Sequence, residues 1–229
     1  MSSGIQRVRI WDLPTRLFHW SLVVCVVGAF VTAKLAGLWM DWHVRFGLAA
    51  GALLAFRLIW GLIGPRYARF SSFLARPRTL MRYLADRNSH VAGHNPLGGW
   101  SVVAMLGLFT FQVFSGLFTT DDILVSGPFA HFNDGWTATL TQLHKSSEWW
   151  MVAFVTLHVL AVLWYQWVAK QNLIGPMVHG DMVASSRNPI IAAQDRWGSR
   201  LLALLIIMLF GWGAWWLSTL SAAVGMEFM

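Results

Sequence analysis

The sequence holds one cysteine, Cys25, and little charge: Asp, Glu, Lys and Arg make up 12% of its 229 residues, about half the roughly 25% usual in soluble chains. One cysteine excludes an intramolecular disulfide, a cysteine-ligated iron–sulfur cluster and covalent haem attachment through a CxxCH motif. Any haem here is held without a covalent link. Internal repeats, low-complexity tracts and a separate soluble domain are also missing, so residues 1–229 read as a single transmembrane domain. None of the long apolar segments alternates with period two, and five such segments would not close a barrel, so membrane-spanning strands are excluded. The net charge of +7 and pI near 10.5 raise nucleic acid as a partner. The basic residues fall between apolar runs, however, and so set topology instead of forming a nucleic-acid surface.

Apolar residues are what the chain has most of. They make up 56% of it, including 15 Trp and 15 Phe, with a mean hydropathy of +0.54. Five segments approach the roughly 20 apolar residues that cross a bilayer: about 17–36, 43–63, 98–118, 145–168 and 199–219. The expected fold is an all-α membrane protein. Arg7, Arg9 and Arg16 precede the first run, and Val31-Thr32-Ala33 faintly imitates a cleavage site. That run is long enough to span and carries His19, so it is read as a retained helix. A short turn from Lys34 to Asp41, with Gly37 as breaker, joins the first two spans into a hairpin. The N-terminus and the 64–97 and 169–198 connections, with adjoining helix ends, hold fourteen of the seventeen Lys and Arg. The other side has Lys34, Arg45 and Lys145 beside Asp41, Asp121, Asp122, Asp134 and Glu148. The positive-inside rule therefore places the N-terminus in the cytoplasm and the C-terminus outside. Ser71 to Arg87 reads as a surface amphipathic helix with Pro77 in its first turn or, equally, as a basic loop on anionic lipid. Trp212, Trp215 and Trp216 of the fifth span read as an aromatic belt at the outer interface.

Four histidines lie in or at the ends of the apolar runs, where an ionisable group is costly and marks a site. On the derived topology His19 is near the cytoplasmic start of span one, His43 at the outer start of span two, and His144 at the outer start of span four. His158 follows His144 by fourteen residues, about 21 Å deeper and within about 40° of the same helix face. Depth then pairs His19 with His158 and His43 with His144. Each pair offers two imidazole nitrogens, the ligand set of a six-coordinate haem b that transfers electrons and has no open position. A single histidine at a helix end is more commonly an interfacial, hydrogen-bonded residue; it is the two depth-matched pairs that point to ligation. Gly47 and Gly51 follow His43 at i+4 and i+8, a stripe that could admit a flat macrocycle, although taken alone the spacing better fits ordinary close helix packing. Arg45 and Arg57 lie near the outer and inner haem levels as partners for propionates, whereas Arg16 and Lys145 fit snorkelling to headgroups. The other histidines, His90, His94, His131 and His179, fall in connections. His90 and His94 have zinc-pair spacing but are separated by Gly93, precede Pro96 and have no third ligand at useful spacing.

Four stretches carry a family likeness: VRIWDLPTRLFHW, WHVRFGLAAGALLAFRLIWGLIGPRYARF, AGHNPLGGWSVVAMLGLF and LHKSSEWWMVAFVTLHV. Together they cover most of residues 7–170, and the chain resembles the cytochrome b subunits of membrane-bound nickel-iron hydrogenases and the wider bacterial cytochrome b561 group. The resemblance implies a four-helix haem-binding core in which His19, His43, His144 and His158 match the family's histidines, with a fifth C-terminal helix in addition. It also implies an electron conduit between the quinone pool and a periplasmic redox protein of the hydrogenase or c-type cytochrome class. Quinone enters through the resemblance alone, with His94 and Asn95 as weak candidates that a helix-start turn explains more economically. The departures are Trp11-Asp12-Leu13-Pro14 ahead of the first histidine and the fifth helix, which would dock a partner or a second protomer.

The expected function is a dihaem b-type relay without bond chemistry of its own beyond quinone oxidation or reduction. One rival is a self-standing quinol oxidoreductase reacting with superoxide. Another, of a different class, is a proton or metal transporter, against which stand the missing repeats, broken helices and mid-membrane carboxylates. A structural anchor without cofactor would leave the buried imidazoles without a purpose.

Overall fold

The computed structural model describes residues 6–85, 93, 95–120, 125–184 and 191–227. Among the described residues, five helices are long and apolar enough to cross a membrane: α1 (Leu13–Leu35), α2 (Met40–Ile63), α5 (Pro96–Gly116), α6 (Asp134–Trp167) and α8 (Trp197–Glu227). Short helices α3 (Phe70–Phe73) and α4 (Pro77–Ala85) lie between α2 and α5, and α7 (Ile174–His179) lies between α6 and α8. The protein is an all-α membrane protein. Many large apolar side chains on these helices are exposed, including Leu62, Leu157 and Leu209 at 68%, 65% and 62%. Lipid, not water, is the solvent such surfaces require.

The hairpin turn forms where expected. Ala36 and Gly37 both take φ of 55°, and a single 3-10 turn (Gly37–Trp39) leads into α2. The amphipathic stretch is helical too, but in two pieces, α3 and α4; Arg87 lies outside the described residues. The largest difference from expectation is α6, which starts at Asp134, not near residue 145. Its 34 residues make a rod of about 51 Å, longer than a roughly 30 Å hydrocarbon core. Its first turns are polar and thus invisible to hydropathy. They are held instead by Asn133, whose side chain accepts from Trp136 N at 3.1 Å, and by the Thr137 hydroxyl donating to Ala130 O at 2.5 Å. His144 therefore sits within a helix already three turns old.

Contacts divide the chain into two compact units. The first comprises Met1–Leu17, Arg57–Met105 and Val155–Ala203. It contains fourteen of the seventeen Lys and Arg and four of the ten Asp and Glu, so the basic segments grouped by charge in the sequence belong to one body. An antiparallel pair of strands, β1 (Gln6–Arg9) and β2 (Asp181–Ala184), ties the N-terminus to the last connection, with Gln6 opposite Ala184 and Arg9 opposite Asp181. Neither strand is long enough to leave a period-two signal, so the sheet was not expected. Asp12 precedes α1 and is 1% exposed; its carboxylate accepts from Thr15 Oγ1 at 2.7 Å and from Trp60 Nε1 at 2.9 Å. The departure at Trp11-Asp12-Leu13-Pro14 thus places a buried carboxylate just before α1, tied to side chains of α1 and α2. At the start of α5, Asn95 Oδ1 accepts from Gly98 N at 2.6 Å and its Nδ2 donates to Tyr165 Oη at 2.9 Å. Asn95 is a helix cap here, and His94 lies outside the described residues.

An ion cluster closes this unit. Arg9 Nε pairs with Asp181 at 2.6 Å, while Arg200 donates from Nε and Nη2 to the two Asp195 oxygens at 2.9 Å each. The hydrogen bonds from Arg200 hold the Asp195 carboxyl below its ordinary range, against the opposing effect of burial. Because the folded pKa is the lower one, the stabilisation is complete above the unfolded value and lost as pH falls through the folded one. Thermal midpoints of detergent-solubilised wild type and Asp195→Asn should therefore differ at neutral pH and converge below about pH 4. A gap of constant size down to acid pH would contradict this.

The second unit comprises Phe18–Phe56, Leu106–Phe154 and Leu204–Met229. Its α1 and α2 segments approach closely at Gly28, where an added Cβ would lie 2.7 Å from the Phe46 ring. Lys34 at the end of α1 pairs with Glu148 of α6 at 2.5 Å.

Candidate functional site

The second unit brings two of the four histidines together. His43 stands in the first turn of α2 and His144 in α6, both half-buried, with ring centres 6.1 Å apart and planes at 84°. His43 Nδ1 lies 2.8 Å from the carbonyl of Ala29 in α1, and His144 Nδ1 lies 3.0 Å from the carbonyl of Gln112 in α5. A carbonyl only accepts, so each Nδ1 carries the hydrogen and each Nε2 keeps its lone pair. That is the tautomer a metal-ligating imidazole takes when a second group orients it.

The separation fits one metal ion between the rings. Two imidazole–metal bonds of about 2 Å, with about 1 Å from each nitrogen to its ring centre, span about 6 Å. The surroundings also fit a flat group. A Cβ built at Gly47, one turn past His43, meets nothing within 4 Å, whereas one at Gly51 would lie 2.9 Å from Val113 Cγ1. Gly47 thus borders open space, and Gly51 is where α5 packs close.

His19 is half-buried in the second unit, its ring edge-on to Trp20 at 5.1 Å, and His158 is half-buried in the first unit, on the same unbroken α6 as His144. Arg57 of the first unit is only 3% exposed, lies over the Phe70 ring at 4.9 Å, and its Nη1 has no hydrogen-bond partner among the described residues. A buried cation with an unused donor suits a carboxylate from a bound group. Arg45 is exposed and stacks over Trp42 at 5.2 Å. Two residues beyond His43, it leaves the far side of α2 and lines a groove of about 460 Å³ with Cys25 of α1 and Trp215 of α8. Arg16 donates to the Val178 carbonyl at 2.6 Å.

Sequence reasoning missed the polar shell around His144. Ser115 Oγ lies 3.2 Å from His144 Nδ1, Gln112 Nε2 donates to the His144 carbonyl at 3.1 Å, and Ser147 donates to Gln112 Oε1. The available signal was Gln112 and Ser115, two polar residues one helical turn apart inside an apolar span. Gly116 was missed as well: a Cβ there would stand 3.0 Å from His144 Cε1. Gly116→Val should displace the ring and lower cofactor content by more than about half, while Gly116→Ala asks for a shift of a few tenths of an ångström and should retain it. Equal content in both variants would show that the ring position does not depend on this glycine.

Comparisons with known proteins bear on this membrane chain and its histidines. The pattern of the prokaryotic cytochrome b561 family matches residues 10–180. The chain belongs to that family. It is a membrane b-type cytochrome, an electron-transfer protein whose prosthetic group is haem b. Among relatives, it is 27% identical over 215 residues to the probable Ni/Fe-hydrogenase B-type cytochrome subunit of Azotobacter chroococcum, covering 76% of this chain and 87% of that one. It is 24% identical over 211 residues to the probable Ni/Fe-hydrogenase 1 B-type cytochrome subunit of Escherichia coli K12, covering 75% and 88%. The corresponding subunit of Rhizobium leguminosarum is 21% identical over 218 residues, covering 80% and 91%. No solved structure matches the chain.

Proposed function

We propose that this cytochrome b561 carries two haems b and relays electrons between the quinone pool and a periplasmic redox protein. The observation that carries the reading is the close pair of His43 and His144, each with Nδ1 anchored on a backbone carbonyl and a lone pair on Nε2, which on His144 lies 3.5 Å from Gln112 Nε2, an amide that a bound metal would displace. Haem iron held by two imidazoles supplies reversible one-electron transfer. The residues' part is to hold and orient. Ala29 and Gln112 fix the tautomers, and Gly47 leaves room beside His43.

At the inner level the ligands are His19 and His158, a pairing that rests on their shared depth in the sequence. Arg57 is the cation that answers a propionate there. Charge supports a cytoplasmic N-terminus and periplasmic C-terminus in the inner membrane. The relatives' names support a hydrogenase as the partner, and the family resemblance supports quinone at the other end. The fifth helix, exposed along Leu201, Leu205 and Trp212, is available to that partner or to a second protomer.

Haem extraction from purified protein should give two haems b per chain, both reduced by dithionite, and mild-detergent purification should retain a redox partner. One haem per chain would overturn the dihaem reading. Quinol oxidation by the isolated protein without any partner would favour a self-standing oxidoreductase.

A further inference from the structure

The two imidazoles of the facing pair are held unequally. Among the described residues His43 Nδ1 has one partner, the Ala29 carbonyl. His144 Nδ1 has two oxygens within reach, the Gln112 carbonyl at 3.0 Å and Ser115 Oγ at 3.2 Å. Ser115 is 0% exposed, and its own hydroxyl hydrogen goes to the Gln112 carbonyl at 3.1 Å. Its oxygen lone pairs are therefore the part that faces the ring. The Gln112 side chain completes the enclosure, donating from Nε2 to the His144 carbonyl and accepting at Oε1 from the buried Ser147. Every polar atom of this cluster comes from α5 or α6, and each hydroxyl has a defined role.

We propose that Ser115 is a positioning residue for His144 which, with Gln112 and Ser147 behind it, lowers the reduction potential of the haem that His144 binds. The proposal rests on the reading that His144 is a haem ligand. A second acceptor on Nδ1–H adds electron density to the imidazole, and a more basic ligand favours the oxidised iron. Burial keeps water from replacing the hydroxyl once it is removed, so the effect survives as a measurable difference.

The test is a redox titration of purified, haem-loaded protein, together with haem content. Ser115→Ala should keep both haems and move one midpoint to a more positive potential, leaving the other unchanged. Ser115→Thr, which retains a hydroxyl, should return that midpoint toward wild type, while Ser115→Val, which has the shape of Thr without its hydroxyl, should not. Ser147→Ala should shift the same haem in the same direction by less, and Gln112→Leu combined with Ser147→Ala should shift it no further than Gln112→Leu alone. Loss of that one haem in the Ala and Val variants, with retention in Thr, also upholds the assignment. Wild-type midpoints in Ser115→Ala and Gln112→Leu, or equal haem loss in the Thr, Val and Ala variants, would overturn it. The ligand reading fails separately, if His144→Ala keeps both haems.

Discussion

His43→Ala should purify with one haem in place of two, and His158→Ala should lose the other one. Loss of a group that merely orients a metal-ligating histidine already costs roughly 10–100-fold in metal affinity, so loss of the ligand itself costs at least as much. The chain should still fold. His43 contributes one hydrogen bond, to the Ala29 carbonyl, typically about 1 kcal/mol net. Haem content, the reduced-minus-oxidised spectrum and the helical signal by circular dichroism separate the two effects. Electron transfer from quinol to an external acceptor should fall at least about tenfold in each variant, because in the proposed relay each haem would be an obligatory step. Added imidazole should partly restore the missing haem in His43→Ala by occupying the truncated site. Full haem content in both variants would end the ligand assignment, and loss of the same haem from both would end the pairing by depth.

Gly47→Phe should remove the outer haem without lowering the amount of chain in the membrane. No atom lies within 4 Å of a Cβ at Gly47, so the first carbon added there meets no clash, and the ring of the new side chain should take up the space beside His43. The nearby glycines behave differently. At Gly51 the first added carbon meets Val113 at 2.9 Å and at Gly28 it meets the Phe46 ring at 2.7 Å, so Phe at either position should reduce accumulation of the chain by disturbing helix packing, by roughly 1–3 kcal/mol or more. Immunoblots of membranes against haem content distinguish the outcomes. If Gly47→Phe holds two haems, the open side of that glycine faces lipid and the stripe is a packing device.

The pairing of His43 with His144 was legible because depth in a membrane follows from position along a rigid helix. The groups that make the pair suitable for metal were not. Ala29 is fourteen residues from His43, and Gln112 is thirty-two from His144; no local pattern says that those carbonyls will meet those nitrogens. Closeness along the chain was also an incomplete guide to closeness in space. Arg45 follows His43 by two residues but leaves the other side of α2 and faces Cys25 and Trp215. The start of α6 escaped hydropathy because its first turns are polar and depend on an Asn cap and a Thr–carbonyl bond.

Apolar run length, the sidedness of Lys and Arg and the location of the imidazoles are carried by short stretches of chain. Each measures the free energy of placing local groups in hydrocarbon or at its surface, so the sequence alone determined five helices, two differently charged sets of connections and four histidines worth pairing. Tertiary structure decided which ring nitrogen meets a carbonyl and which keeps its lone pair, which glycine opens and which packs, and that β1 meets β2 across more than 170 residues. Those outcomes depend on hydrogen bonds and van der Waals contacts between remote segments, whose directions and distances are set only when the helices are packed.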